Sequence, residues 1–501
     1  IKLTSSDTVL IISTTKGNID LLKKKNKRSF ETDRVQLWKS SELIAQFFNN
    51  PNKPLTISNA CISGTLALIT AKRLLDSGKF KHAVVTGADI LPEFTLSGFT
   101  AFKAVSVGPC RPFDKDRTGM TPGEGAGTII LTTEESFSSG DKIMISGGSS
   151  GNDANHISGP SRTGEELAGS IQSSLIEAGL ESHNIDYVSA HGTATPYNDE
   201  MESKALTLAG LNKVPVNSMK GYLGHTFGAA GIIETITGIE AIRNKVLYKS
   251  IGFQNQGTES QLNILTNNIS LAVNNVLKTA SGFGGCNASL IVGNNLFKEK
   301  HVNSTVEFDI TKKILIRNGR VYVNNKEILQ KNETEFGNFM KVLYKQYNIK
   351  YPKFYKMDKL CKLAFIASEI LLKDTHISQQ FKDDKIAVVL SNGSSSLDTD
   401  MENQKTIDDR ENYFPSPAVF VYTLANIMIG EICIRNSFKG ENMVFVSKDF
   451  EKDLVLDYVD ILFQTGRTDA CITGRIEYAF PGGEYFAELY LTEKKIRNKL
   501  L

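Results

Sequence analysis

SGKFKHAVVTGAD, residues 77–89, joins the end of a helix-like stretch through a short loop to a buried strand. The stretch that leads into it, SGTLALITAKRLLDSG (63–78), repeats its apolar residues at three and four, the period of a helix with one buried face. Apolar, β-branched runs of the same kind recur at TVLIIST (8–14), AGTIILT (126–132), KIMISGG (142–148), IDYVSAHG (185–192) and ASLIVG (288–293). Between them RTGEELAGSIQSSLIEAGL (162–180) and GAAGIIETITGIEAIRNK (228–245) read as helices. Buried strands alternating with helices predict an α/β fold with mostly parallel sheets, whose Gly-rich strand ends are the places where such folds bind ligands.

The opening stretch has a counterpart in TGRTDACITGRIE (465–477), and TVLIIST has one in KIAVVLSNG (385–393). Two matches in the same order predict an internal repeat. The α/β pattern breaks near residue 296, so we expect a first unit over 1–297, a polar linker over 298–305 and a second unit over 306–501, with a helix at KLCKLAFIASEILLKD (359–374).

Composition excludes several classes. Of 501 residues 41% are hydrophobic and 22% charged, with a net charge of +2, which gives no case for nucleic acid or an acidic membrane as partner. The Lys-rich LLKKKNKR (21–28) reads as a solvated loop. The six cysteines show no CxxC pair and no regular spacing, so neither a disulfide framework nor a zinc site is expected, and a reducing cytoplasm is the simplest location. There is no apolar run long enough to cross a membrane and no signal-peptide pattern.

Three polar centres sit at strand-to-helix corners. In NACISG (59–64) Cys61 precedes a helix starting at Ser63 or Gly64, whose positive end favours a thiolate, and small neighbours leave room for an acyl group. His191 follows a strand in SAHGTATPYNDEMES (189–203), and Lys220 and His225 share NSMKGYLGHTFGAAGIIE (217–234). One Cys with two His at corners of an α/β sheet forms a set suited to covalent acyl chemistry. A fourth stretch, SGFGGCNASLIVG (281–293), wraps glycines around Phe283 before entering a strand.

In order and type these motifs resemble the β-ketoacyl-acyl carrier protein synthases, the condensing enzymes of the thiolase-like fold. NACISG resembles the family's nucleophile motif, HGTATPYND and KGYLGHTFGAAG its two histidine motifs, GFGGCNA its glycine loop, and RPFDKDRTGMTPGEGAG (111–127) a further stretch between them. The resemblance implies a layered α-β-α-β-α architecture and a decarboxylative condensation of malonyl thioester with an acyl chain on Cys61. It implies that His191 and His225 stabilise the enolate and that Lys220 orders the site, with Glu234 in support. Phe283 is implied as a gate and as an oxyanion amide beside that of Cys61, with Thr193, Thr195 and Asp199 as further supporting residues. It implies no cofactor and no metal. The substrates would be phosphopantetheine thioesters of an acyl carrier protein, the assembly a homodimer or a ketosynthase-like heterodimer, and the product a fatty acid or a polyketide, an aryl polyene being one such product.

Three departures qualify the match. Ser281 stands where the family usually has an aromatic, which would loosen the gate, and Cys286 stands where it usually has Thr, read as a packing change. The segment that normally precedes TVLIIST has no counterpart here, so the first unit is expected to be incomplete at its start. The stretches 351–374, 385–400, 414–442 and 465–477 resemble the N-terminal half of a ketosynthase, but counting back as from Gly78 to Cys61 places Asp449 at the nucleophile position. The second unit therefore resembles a chain-length factor, and GENMVFVSKD (440–449) could supply a pairing edge. Two alternatives stay open, a non-elongating scaffold subunit and a thiolase.

Overall fold

The computed structural model describes residues 1–23, 31–137, 142–294, 306–331, 335–479 and 482–495. The expected linker 298–305 and residues 24–28 of the Lys-rich stretch lie outside the described residues.

Runs of Val, Ile and Leu form strands because branched side chains pack well on a pleated surface covered on both sides. In the first half these are β1 (Thr8–Ser13), β2 (Leu55–Ile57), β3 (His82–Asp89) and β4 (Gly125–Thr132), in the order β2-β1-β3-β4, with helix α1 (Ser63–Asp76) linking β2 to β3. β1 is parallel to β2 and β3, and β4 is antiparallel to β3. A six-stranded sheet follows, built from β5 (Met144–Asn152), β6 (Tyr187–Ser189), β7 (Pro215–Asn217), β8 (Asn263–Ile264), β9 (Asn275–Gly282) and β10 (Cys286–Gly293). Helices α2 (Glu165–Ala178), α3 (Pro196–Leu208) and α4 (Ala230–Asn244) belong to it. α1 and α4 pack together between the two sheets, and α2 covers the far face of the second, which gives the layered arrangement.

The second half contains β11 (Phe308–Arg317), β12 (Arg320–Val323), β13 (Lys326–Gln330), α5 (Lys359–Leu372), β14 (Ile386–Asn392), α6 (Ile427–Asn436), β15 (Asn442–Val446), α7 (Lys452–Gln464), β16 (Ala470–Tyr478) and β17 (Tyr485–Lys494). Its order β15-β14-β16-β17 repeats β2-β1-β3-β4, with the same two parallel pairings and one antiparallel pairing. Asp449 lies exposed in the corner between β15 and α7, the counterpart of the Cys61 corner between β2 and α1. The strands β11 to β13 were not anticipated from the sequence. They extend the sheet beyond β17 by antiparallel pairing.

The two halves meet strand to strand. β15 runs antiparallel to β2, with Phe445 opposite Ile57 and Val446 opposite Thr56, and fuses everything from β13 to β4 into one sheet of 11 strands. The pairing edge expected at 440–449 is thus used within the chain. Parallel pairing joins β2, β1 and β3, then β15, β14 and β16, and in the six-stranded sheet β9, β6, β7 and β8, as the strand-helix alternation predicts. The seam, β3-β4, β16-β17, β11 to β13 and β9-β10-β5 pair antiparallel. One apolar core crosses the seam, bringing Ile57, Leu66 and Val85 together with Met443, Phe445 and Val459.

Buried polar groups fix the register of that seam. Asn59 Nδ2 donates to Asn442 Oδ1 (3.1 Å), and Asn442 Nδ2 donates to the carbonyl of Gly151 (2.8 Å). Arg73, on α1 and 2% exposed, donates through Nη2 to Glu441 Oε1 (2.6 Å) and through Nη1 to the Tyr458 hydroxyl (2.6 Å). Ser150 Oγ donates to the other oxygen of Glu441 at 2.7 Å. Burial disfavours the charge on both partners, yet each holds the other ionised.

Removing one partner leaves a buried charge uncompensated, so Arg73→Ala is expected to cost about 3–5 kcal/mol in denaturant unfolding. The double substitution Arg73→Met with Glu441→Leu should recover most of that loss, and a single variant as stable as the parent would contradict the account.

Candidate active site

Cys61 sits at the corner where β2 ends and α1 begins. Ala60 adopts φ +49°, a left-handed conformation that costs an L-residue about 1–2 kcal/mol, and this turns the chain sharply ahead of the sulfur. Ser63 Oγ ties the corner, accepting from the Asn59 amide (2.7 Å) and donating to the Ala60 carbonyl (2.6 Å). A Cβ on Gly64 would fall 2.8 Å from the Gly228 carbonyl oxygen, and one on Gly231 would fall 2.3 Å from the Thr65 nitrogen. The small residues expected to leave room for an acyl group are therefore used otherwise. Ser63 holds the turn and Gly64 lets α1 and α4 touch backbone to backbone, and neither faces the cavity.

The two histidines meet beside this corner. Their rings lie 5.3 Å apart and nearly perpendicular, both buried and both lining the same cavity as Cys61. Lys220 Nζ lies 3.4 Å from His191 Nδ1, and the Phe227 amide donates to His225 Nδ1 at 3.3 Å. Each Nδ1 is thereby an acceptor, which assigns the proton of both neutral rings to Nε2. His225 Nε2 is buried with no partner among the described residues. Burial first, and the Lys220 and Lys278 cations after it, hold both imidazoles well below their ordinary pKa, so they are neutral at physiological pH.

The charge behind the rings is a closed network. Glu234, on α4, accepts from Lys220 Nζ at 2.6 Å through one oxygen and pairs with Lys278 Nζ at 2.5 Å through the other. Lys220 also donates to the His191 carbonyl (2.6 Å), and Lys278 to the carbonyls of Ser189 (3.2 Å) and Ala190 (3.3 Å). Burial opposes the charge on Glu234, but two adjacent cations outweigh it and hold its carboxyl below the usual range. Lys220 thus acts on the histidines as a fixed donor and cation.

The cavity, open to solvent, has Cys61, His191, His225 and Phe283 among its lining residues, together with Thr193 and Thr195. The two threonine hydroxyls are 2.8 Å apart. Asp199 lies beneath this loop, accepting from the amides of Phe113 (2.7 Å) and Ala194 (3.2 Å), so it pins backbone and does not reach the cavity. Phe283 packs against Phe99 and Phe102. Ser281 does line the cavity, with its hydroxyl donating to Asn287 Oδ1 at 2.7 Å. Cys286 is buried in β10, its thiol donating weakly to the Phe283 carbonyl (3.3 Å), in keeping with a packing role. The second half contributes Phe420, Thr423 and Leu424 to the same wall.

The resting state of Cys61 differs from expectation. A helix start was expected to favour the thiolate, yet burial is the larger influence and pushes the thiol up to about 12 against the pull of Lys220. Three residues that hold the site were missed. Glu202 accepts from the amides of His191 and Gly192 (both 2.7 Å) and from Thr279 Oγ1 (2.6 Å). Asp89 accepts from the Gly228 amide at 2.7 Å and from Thr14 Oγ1 at 2.6 Å, bracing the His225 loop. Lys278 is the third, and a lysine within the buried run NVLKTASG was the available signal.

The chain is similar to known proteins in sequence and in fold. Residues 3–136 match the family model described as beta-ketoacyl synthase, N-terminal domain, and residues 143–254 match that of the C-terminal domain. The 3-oxoacyl-(acyl-carrier-protein) synthase 2 of Rhizobium meliloti (strain 1021) is 35% identical over 253 residues, which is 47% of this chain and 60% of that protein. The chain thus spans about 60% of the length of the curated relatives it matches. A solved structure of the ketosynthase ApeO in complex with its chain length factor ApeC, from Xenorhabdus doucetiae, is similar with a TM-score of 0.54 and 28% identity, over 58% of this chain and 75% of that one. The PfaC keto synthase-chain length factor structure is similar over 98% of this chain and 66% of its own, with a TM-score of 0.75 and 16% identity, a likeness of fold.

A thiol whose pKa is raised to about 12 gains thiolate with each step in pH below that value. Alkylation of Cys61 by iodoacetamide should therefore accelerate about tenfold per pH unit from 7 to 9. Peptide mapping of the alkylated chain measures it, and a rate that levels off below pH 8 would contradict the assignment.

Proposed function

Over residues 3–136 and 143–254 the chain belongs to the β-ketoacyl synthase family, and from that premise we propose that it catalyses decarboxylative condensation of malonyl-acyl carrier protein with an acyl chain held on Cys61. The reading rests above all on one observation: two buried imidazoles, each with its Nδ1 facing an N–H donor, line the same cavity as a half-buried cysteine.

In the first step the Cys61 sulfur attacks the acyl thioester of the carrier protein. The thiol proton passes to the departing phosphopantetheine sulfur, and the amides of Cys61 and Phe283 receive the tetrahedral oxyanion. In the second step malonyl thioester loses carbon dioxide, and the electron pair of the broken bond moves onto the thioester oxygen as an enolate. His191 and His225 donate to that oxygen where its charge develops, with no proton transferred beforehand. The enolate carbon then attacks the Cys61 thioester, expelling the cysteine sulfur as a thiolate, which takes a proton from solvent in the open cavity. Glu234 and its two lysines hold the donors in place, and Thr193 and Thr195 offer hydroxyls to the incoming arm. No step requires a cofactor or a metal.

The partner in this proposal is an acyl carrier protein, and the product is a fatty acid or a polyketide. The second half is proposed as a degenerate ketosynthase-like unit that plays within one chain the part of a chain-length factor, so that the seam replaces a contact between subunits. Six unpaired cysteines suit a reducing compartment, and a cytoplasmic location belongs to the proposal.

Incubation with radiolabelled acyl-acyl carrier protein should place label on Cys61, and Cys61→Ala should abolish it; a labelled alanine variant or an unlabelled parent would sink the reading. His191→Ala and His225→Ala should each slow carbon dioxide release from malonyl-acyl carrier protein by about 10²–10³-fold while leaving Cys61 labelling within a few-fold. Equal loss of both activities would remove the histidines from the enolate.

A further inference from the structure

The glycine loop over Cys61 is held from both halves of the chain. A Cβ on Gly282 would fall 3.0 Å from the Cys61 nitrogen, so the loop's first residue lies directly against the nucleophile's backbone. On the near side, the Gly284 amide donates to the Ile157 carbonyl (2.6 Å), Asn152 Nδ2 to the Gly284 carbonyl (2.9 Å) and the Asp153 amide to the Gly285 carbonyl (2.7 Å). On the far side stands the start of α6, from the half that lacks a nucleophile. Asn426 Nδ2 donates to the Phe283 carbonyl at 2.7 Å, and Gly430, one turn on, lies so close that a Cβ would fall 2.8 Å from the Gly284 carbonyl oxygen.

Asn426 is a poor choice for stability alone. It is buried, and its Oδ1 has no partner among the described residues, a condition that costs about 1–3 kcal/mol. Its Nδ2 donates to the Phe283 carbonyl on the glycine loop and, at 3.7 Å, to the Cys286 sulfur where that loop enters β10. A buried amide kept at such a cost, and aimed at the loop that faces Cys61, fits a residue retained for the site.

We infer that Asn426 is a positioning residue for acyl transfer: it reaches across from the second half and fixes the Phe283–Gly284 peptide, which sets the Phe283 amide and ring over Cys61. The inference rests on the proposed condensing activity. The second half then does more than shape the cavity, because the loop that completes the acyl-transfer site is oriented by a side chain it supplies. Misplacing a reacting group by about 1 Å costs on the order of 10²-fold in rate.

The test uses the full chain and three measurements: single-turnover labelling of Cys61 from radiolabelled acyl-acyl carrier protein, iodoacetamide alkylation of Cys61, and thermal unfolding. Asn426→Leu should slow labelling about 10²-fold while alkylation stays within twofold, since alkylation needs the thiol but not the loop. Asn426→Asp keeps the shape and guards against a folding failure. Its ionised carboxylate cannot donate to the Phe283 carbonyl whereas its protonated form can, so labelling relative to the parent should recover as pH falls toward 5. The groups facing it are the Phe283 carbonyl, the Cys286 thiol and the backbone of Gly284. Asp153, whose carboxyl burial pushes up to about 7, braces the same loop in parent and variant alike, so the ratio to the parent at each pH isolates the new carboxyl. Folded variants that label at the parental rate would overturn the inference, as would a parallel loss of labelling and alkylation. A parent that takes no label overturns the proposed function and this inference with it, whereas a labelled parent with equally labelled variants overturns this inference alone.

Discussion

The antiparallel pairing of Asn442–Val446 with Leu55–Ile57 is the contact on which the rest depends. Two residue pairs in register are few for a seam that joins two four-stranded repeats, and the surrounding groups explain why it holds. Apolar side chains from both sides share one core, and the Arg73–Glu441 pair and the Asn59–Asn442 amides would be left unpaired by any slip. Because β2 leads straight into Cys61, locking β15 beside it also decides what stands over the nucleophile. Phe420, Thr423 and Leu424 reach the cavity, and Asn426 reaches the glycine loop, only while the seam keeps its register.

Within the first half the constraint is electrostatic. A carboxylate between two lysines leaves one net positive charge behind the histidines, buried and held by backbone carbonyls. That charge favours neutral rings, and the bonds to each Nδ1 select the tautomer that presents Nε2–H to the cavity. A protonated thiol fits the same surroundings, because the burial that would strengthen hydrogen bonds to the enolate of the proposed reaction also disfavours a resting anion on Cys61. The site is arranged for charge that appears during reaction, not for charge stored beforehand.

Much of this was legible in the sequence, for identifiable reasons. Strands and helices with a single period and Gly-rich ends were placed within a few residues, and the comparison of 77–89 with 465–477 anticipated a repeat that reappears as matching strand order. Cys61, His191, Lys220, His225 and Phe283, scattered over more than 200 positions, do converge on one cavity or its edge. The hairpins β11 to β13 escaped because Asp, Lys, Arg and Glu interrupt their apolar residues on a half-exposed edge, which blurs the apolar signal. Glu202 and Asp89 were missed because a carboxylate that holds backbone amides looks, in sequence, like any polar residue near a turn. Asn426 was missed because its partner lies 143 positions away.

The repeat also shows how the two corners differ. In the first half the Cys61 corner is roofed by the six-stranded sheet, which supplies both histidines and the glycine loop. Among the described residues no second such sheet covers the corner between β15 and α7, and Asp449 there is exposed to solvent. Among the described residues a thiol at that position would have no buried imidazoles to pair with. The two corners share one strand order and differ in what covers them. The half without a roof is the one that sends its side chains across the seam to the other.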